Sequence, residues 1–105
     1  MANNITMDSV HAFIAGKPFR RENMSVEIED DDIYLMLHGN SIAYRSKTDG
    51  KVYISNCGWE TNTTKMRLNY LLYKYNSPLQ IRQKNFVWYL GDDVWDGYET
   101  YIYKD

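Results

Sequence analysis

Gly58-Trp59-Glu60-Thr61-Asn62-Thr63-Thr64-Lys65-Met66-Arg67-Leu68-Asn69 decides the fold, because a strand ending, a threonine-rich helix start and a basic amphipathic helix meet in it. Thr61 or Thr63 can accept a hydrogen bond from a free backbone N–H of a first helical turn, which is what a helix start requires. Beyond it, Thr64, Leu68, Leu71, Leu72 and Tyr75 recur at helical spacing and predict a stripe facing a sheet. Met66, Tyr70 and Tyr73 make a second stripe, with Asn69 beside it and Lys65, Arg67 and Lys74 on the flanks. No acid occurs from Thr61 to Tyr75, and Asn76-Ser77-Pro78 supplies the stop.

Working outward, Ile33, Leu35 and Leu37 alternate with Tyr34, Met36 and His38, which predicts a strand with one buried face. Ser25 to Glu29 alternates in the same way, with Val26 and Ile28 on one face. Gly39-Asn40 and Thr48-Asp49-Gly50 carry turn chemistry, so Ser41–Arg45 and Lys51–Ser55 complete an antiparallel meander. After the helix, Leu79 and Ile81 alternate with Gln80 and Arg82. Lys84-Asn85 turns the chain, and Phe86, Trp88 and Leu90 share a face opposite Val87 and Tyr89. Short strands are expected around Trp95 and from Tyr98 to Tyr103. At the other end, residues 1–7 read as frayed, and Asp8 caps a short helix through His11, Phe13 and Ile14 that stops at Gly16 before Pro18. The expected fold is α+β: a mostly antiparallel sheet of five to six short strands, one firm helix packed on it, and a short N-terminal helix.

A chain of 105 residues buries one core, so residues 1–105 are read as a single domain. Ten tyrosines and three tryptophans suit sheet cores and binding surfaces alike. The net charge of −2 lacks the basic excess of a domain that grips duplex DNA. Charge is unevenly placed, with acids at Glu27-Ile28-Glu29-Asp30-Asp31-Asp32 and after Phe86, and a small basic group at Lys17, Arg20 and Arg21. Cys57 stands alone, which excludes an intramolecular disulfide and a paired-cysteine metal site. No signal peptide or membrane-length run is visible, and a reducing intracellular compartment is the simplest home.

Candidate chemistry is sparse. A cysteine nucleophile would need Cys57 activated by His11 or His38, and nothing in the spacing supports it. Asp30-Asp31-Asp32 lacks the alternation and glycine of a calcium loop, and no phosphate-binding glycine loop occurs, so no metal and no cofactor are expected. Two binding classes remain. Tyr34, Tyr44, Tyr53, Trp88 and Tyr89 could stack single-stranded bases while Lys65, Arg67 and Lys74 track phosphates. Alternatively, the second helix stripe meets a protein, either foreign or a second copy of the chain, through Lys65, Met66, Arg67, Tyr70, Tyr73 and Lys74. Within the opening run, the structural expectation is that Gly58 serves a bend and Trp59 plugs the core. Thr61, Thr63 and Thr64 start the helix, and Arg67 and Asn69 hold the preceding loop through its carbonyls.

These residues carry a resemblance. From Leu37-His38-Gly39-Asn40-Ser41-Ile42-Ala43 through the Gly58–Asn69 run, and on into Ile81-Arg82-Gln83-Lys84-Asn85-Phe86-Val87-Trp88-Tyr89-Leu90, the chain resembles a group of small tailed-bacteriophage accessory proteins. The resemblance implies a protein made in the cytoplasm of an infected bacterium, one that modulates host machinery or blocks host defence by binding. It brings no catalytic residues with it.

Overall fold

Tight two-residue turns lay out the main sheet. The computed structural model describes residues 3–103. Strands β1 (Phe19–Arg21), β2 (Met24–Glu29), β3 (Asp32–Leu37), β4 (Asn40–Arg45) and β5 (Val52–Ile54) follow one another as antiparallel neighbours, and β9 (Thr100–Tyr101) closes the order β1-β2-β3-β4-β5-β9. Asp30 and Asp31 sit at φ 51° and 70° between β2 and β3, and His38 and Gly39 at φ 51° and 79° between β3 and β4. Left-handed backbone at both central residues matches the twist of the flanking strands, and Asp and Gly tolerate it. The second turn therefore lies one residue earlier than Gly39-Asn40, and Asn40 pairs with Leu37. Ile33, Leu35 and Leu37 keep the core side as the alternation predicts. A bulge opposite Leu35 and Met36 pairs Ala43 and Ser41 with them and leaves Ile42 extra, so Ile42 and Ala43 are both buried.

Helices α1 (Asn4–Ala15) and α2 (Asn62–Lys74) cover the core side. Residues 3–7 are not frayed, and Asp8 is not the cap. The Asn3 side chain accepts from the Thr6 N–H at 3.0 Å, and α1 is nearly as long as α2. Residues 1 and 2 lie outside the described residues. The earlier start follows from packing, since Thr6, Ser9, Val10 and Phe13 form a buried stripe that begins before Asp8. Gly16, at φ 69°, ends α1 as expected. Val10 and Phe13 from α1 and Leu68, Leu71 and Leu72 from α2 meet Met24, Val26, Leu35, Ile42, Val52, Ile54 and Ile102 in one core. Each such side chain contributes about 1.5–3 kcal/mol relative to exposure. Arg45 closes the end of this layer, donating to the Ile14 carbonyl at 3.0 Å and the Tyr75 hydroxyl at 3.2 Å. Burial raises the Tyr75 phenol above its ordinary pKa, and Arg45 pulls it the other way.

A second, three-stranded sheet comprises β6 (Ile81–Lys84), β7 (Val87–Leu90) and β8 (Asp93–Val94). Ile81, Trp88 and Leu90 turn into the core with Trp95. Phe86 does not share their face. It sits with Asn85 in the two-residue turn, at φ 68° and 90% exposed, because the pairing of Lys84 with Val87 leaves only those two residues between strands. The α+β class holds, with strands divided between two sheets.

The loops at the foot of the molecule interlock at Gly97. Its carbonyl accepts from the Asn56 N–H at 3.1 Å and the Ser55 hydroxyl at 2.9 Å. Its φ is +88°, and an added Cβ would lie 2.2 Å from Asn56 Oδ1. Gly97→Ala is therefore expected to destabilise the fold by about 3 kcal/mol, read as a lowered urea midpoint. Phe86→Gly relieves left-handed strain at an exposed position and should stabilise by roughly 0.5–1 kcal/mol in the same assay.

Candidate functional site

Helix α2 begins where Thr61 leaves the extended region, at φ −116° and ψ 160°, and its hydroxyl accepts from the Thr64 N–H at 3.2 Å. Such a cap is worth about 1 kcal/mol. Leu68, Leu71 and Leu72 point to the core, which leaves Met66 and Tyr70 half-buried and Tyr73 72% exposed on the outer side. There they line an open groove of about 650 Å³ with Lys65, with Met7 from α1 and with Gln80 ahead of β6. The Tyr70 hydroxyl meets His11 Nε2 at 2.9 Å, and the Tyr70 and Tyr73 rings lie 6.1 Å apart. Lys65 donates to Gln83 Oε1 at 3.1 Å and stands 5.8 Å from the Trp88 ring, so its stem lies along the second sheet. Lys74 is exposed in the last turn, where the helix dipole favours a cation. Met7, His11 and Gln80 escape a reading of the helix pattern alone, because two other segments supply them.

Arg67 does not belong to this surface. It is 3% exposed, and its Nη1 donates to Asn3 Oδ1 at 3.2 Å and to the Thr6 hydroxyl, while Nη2 reaches Asn23 Oδ1 at 3.3 Å. Among the described residues no carboxylate lies within ion-pair distance of it. Burial lowers its pKa, Glu22 opposes that shift, and the guanidinium stays charged. Its helical position between the stripes gives no sign of this, because the partner oxygens come from α1 and the β1–β2 turn.

The rest of the opening run is structural in a different way from the expectation. Gly58 does serve a bend, at φ +80°. Trp59 does not plug the core. It is 52% exposed and borders a small cavity of about 190 Å³ with Leu37, Ile42, Thr61, Thr63 and Thr64. Thr64 is buried, with its hydroxyl 3.0 Å from that of Thr61. Asn69 braces the following strand, not the preceding loop: it accepts from the Ile81 N–H at 2.8 Å and donates to the Ile81 carbonyl at 3.0 Å. The preceding loop is held instead by buried Asn56, whose Oδ1 accepts from the Gly58 N–H at 2.8 Å.

On the sheet face away from the helices, Tyr34, Tyr44, Tyr53 and Tyr101 pair across β3, β4, β5 and β9. Their ring centroids are spaced 5.1, 6.2 and 5.7 Å apart. Trp88 takes no part in a stacking surface, being 1% exposed beneath Lys65, and Tyr89 lies on the other sheet. Tyr34 pairs with Glu27, and its phenol is raised above its ordinary pKa by desolvation, then by Asp32, Tyr44, Glu29 and Asp30.

No catalytic arrangement gathers around Cys57. Its thiol donates to the Ser41 carbonyl at 2.8 Å, while His11 bonds to Tyr70 and His38 occupies a turn. Among the described residues no group of three or more His, Cys, Asp and Glu side chains could hold a metal ion, and no helix is long and apolar enough to cross a membrane. Arg67→Met is expected to take their donor from the buried Thr6 hydroxyl oxygen and the half-buried Asn23 carboxamide and to cost ~2 kcal/mol in a denaturant titration, with Arg67→Lys falling between it and the parent because the planar fork is lost.

Residues 2–104 match the family model described as Kyanoviridae Gp96 protein. No curated protein and no solved structure matches the chain. With nearly its whole length covered, the chain belongs to the Kyanoviridae Gp96 family of phage proteins.

Proposed function

We propose that this phage protein acts by binding, without catalysis, and that the groove over α2 docks a protein of the infected host, in host takeover or in blocking a defence system. The observation that carries this reading is an open groove lined by Met7, Met66, Tyr70 and Tyr73, on a helix that bears Lys65 and Lys74 and no acid. Flexible methionine and rigid tyrosine are the side chains that interfaces favour, and a monomer seldom leaves them gathered on one side of a helix without use. Their charge surroundings favour a partner segment that offers apolar side chains flanked by Asp or Glu. Lys65 and Lys74 then steer the encounter and fix orientation, while Tyr73 and Met66 supply most of the affinity. Arg67 contributes only indirectly, by holding α2 in place.

The test begins with the protein as bait in host lysate and continues with the purified partner in calorimetry. Tyr73→Ser should weaken binding at least tenfold, about 1.4 kcal/mol, with the melting temperature unchanged because Tyr73 makes no core contact. Lys65→Glu with Lys74→Glu should weaken it most at low salt. Unaltered affinity in both variants would remove the groove from the account.

A further inference from the structure

The row Tyr34-Tyr44-Tyr53-Tyr101 lies on the side of the molecule opposite the groove, and no helix covers it. Its two ends differ. At one end, Glu27 is the cross-strand neighbour of Tyr34, and Glu29 pairs with Asp32 on the same face two residues further along each strand. At the other end, Lys51 Nζ already sits over the Tyr101 ring, 4.9 Å from its centroid. That contact shows within one molecule that the outer ring faces accept a cation. Among the described residues no cation is placed over Tyr34, Tyr44 or Tyr53.

We propose that this face is a second docking site, whose occupant is an extended, arginine-bearing segment of a partner protein laid across the strands with its guanidinium groups over Tyr34, Tyr44 and Tyr53. Charge complementarity selects this occupant. A guanidinium stacks on tyrosine and pairs with carboxylates in one geometry, so Glu27, Glu29 and Asp32 complete what the rings begin. Spacing agrees. An extended chain advances about 3.3 Å per residue, which places alternate side chains roughly 6.6 Å apart, close to the ring intervals of 5.1 and 6.2 Å. Phosphates of a single strand would meet the same acids as repulsion, which disfavours nucleic acid on this face despite its rings. A second copy of the chain would have to offer an exposed arginine series, and its exposed arginines Arg20, Arg21 and Arg82 do not form one at alternate positions.

The probe is a peptide of four Arg-Gly repeats, capped at both ends and titrated into the full chain by calorimetry at low and moderate salt. Saturable, salt-weakened binding is expected, with the Lys-Gly analogue weaker. Tyr44→Thr with Tyr53→Thr removes the rings, puts strand-favouring β-branched residues in their place, and should reduce the affinity at least tenfold. Glu27→Gln with Glu29→Gln leaves the rings untouched and should reduce it severalfold, which keeps the test decisive if the tyrosine variant unfolds. The proposal is overturned if the Arg-Gly peptide fails to bind or if folded variants bind it as the parent does. It is equally overturned if a twelve-nucleotide oligothymidylate binds more tightly than the peptide, or if sedimentation shows dimers that the tyrosine variant abolishes.

Discussion

One buried guanidinium joins the parts of this molecule that are far apart in sequence. Arg67 leaves the middle of α2 and reaches the cap residue of α1, a threonine in its first turn, and the asparagine at the β1–β2 turn. Every oxygen it finds is neutral, and it lies near the positive end of α1, where the helix dipole disfavours a cation. Charge attraction therefore does little of the holding. The fixed fork of donors does, because it ties three side chains from two other segments to one point, the buried Thr6 hydroxyl among them. The same contact sets the position of Met7, since it anchors the turn of α1 from which Met7 projects into the groove.

From this brace follow two faces with different chemistry. The helical side offers methionine and tyrosine among lysines, and the sheet side offers a tyrosine row with carboxylates at one end. Apart from Tyr70, which packs against the core, neither face belongs to it, so the chemistry of either can vary while Leu68, Leu71, Leu72 and their partners stay in place. A near-neutral chain can thus present opposite local charge on opposite sides. Its net charge says nothing about either face.

Much of the fold is legible in the chain because hydrophobic period is local. The alternation of Ile33, Leu35 and Leu37, the threonine cap at Thr61 and the leucine stripe of α2 are each stated within a few residues and are realised as stated. What local pattern misstates depends on distant partners. Asn3 begins α1 because its carboxamide serves both the helix and Arg67. Trp59 looks like a core plug, yet Asn56 and Gly58 turn it outward. Phe86 alternates correctly with Trp88 and Leu90, and only hairpin pairing reveals that it occupies the turn. Met66, Tyr70 and Tyr73 are visible at their helical spacing, while Met7 and Gln80, which complete the groove, are not. Tyr101 likewise joins Tyr34, Tyr44 and Tyr53 only through a pairing that brings the chain's end back to β5.

That the outer face of α2 meets a host protein is the claim on which the biological account rests. Its most direct test is site-specific photo-crosslinking during infection, with a benzophenone amino acid at position 73 and, separately, at exposed Lys17, two residues beyond the end of α1. The account predicts a defined host adduct from position 73 that is missing from position 17. The same adducts from both positions, or none from position 73 while the protein is folded and abundant, would contradict it.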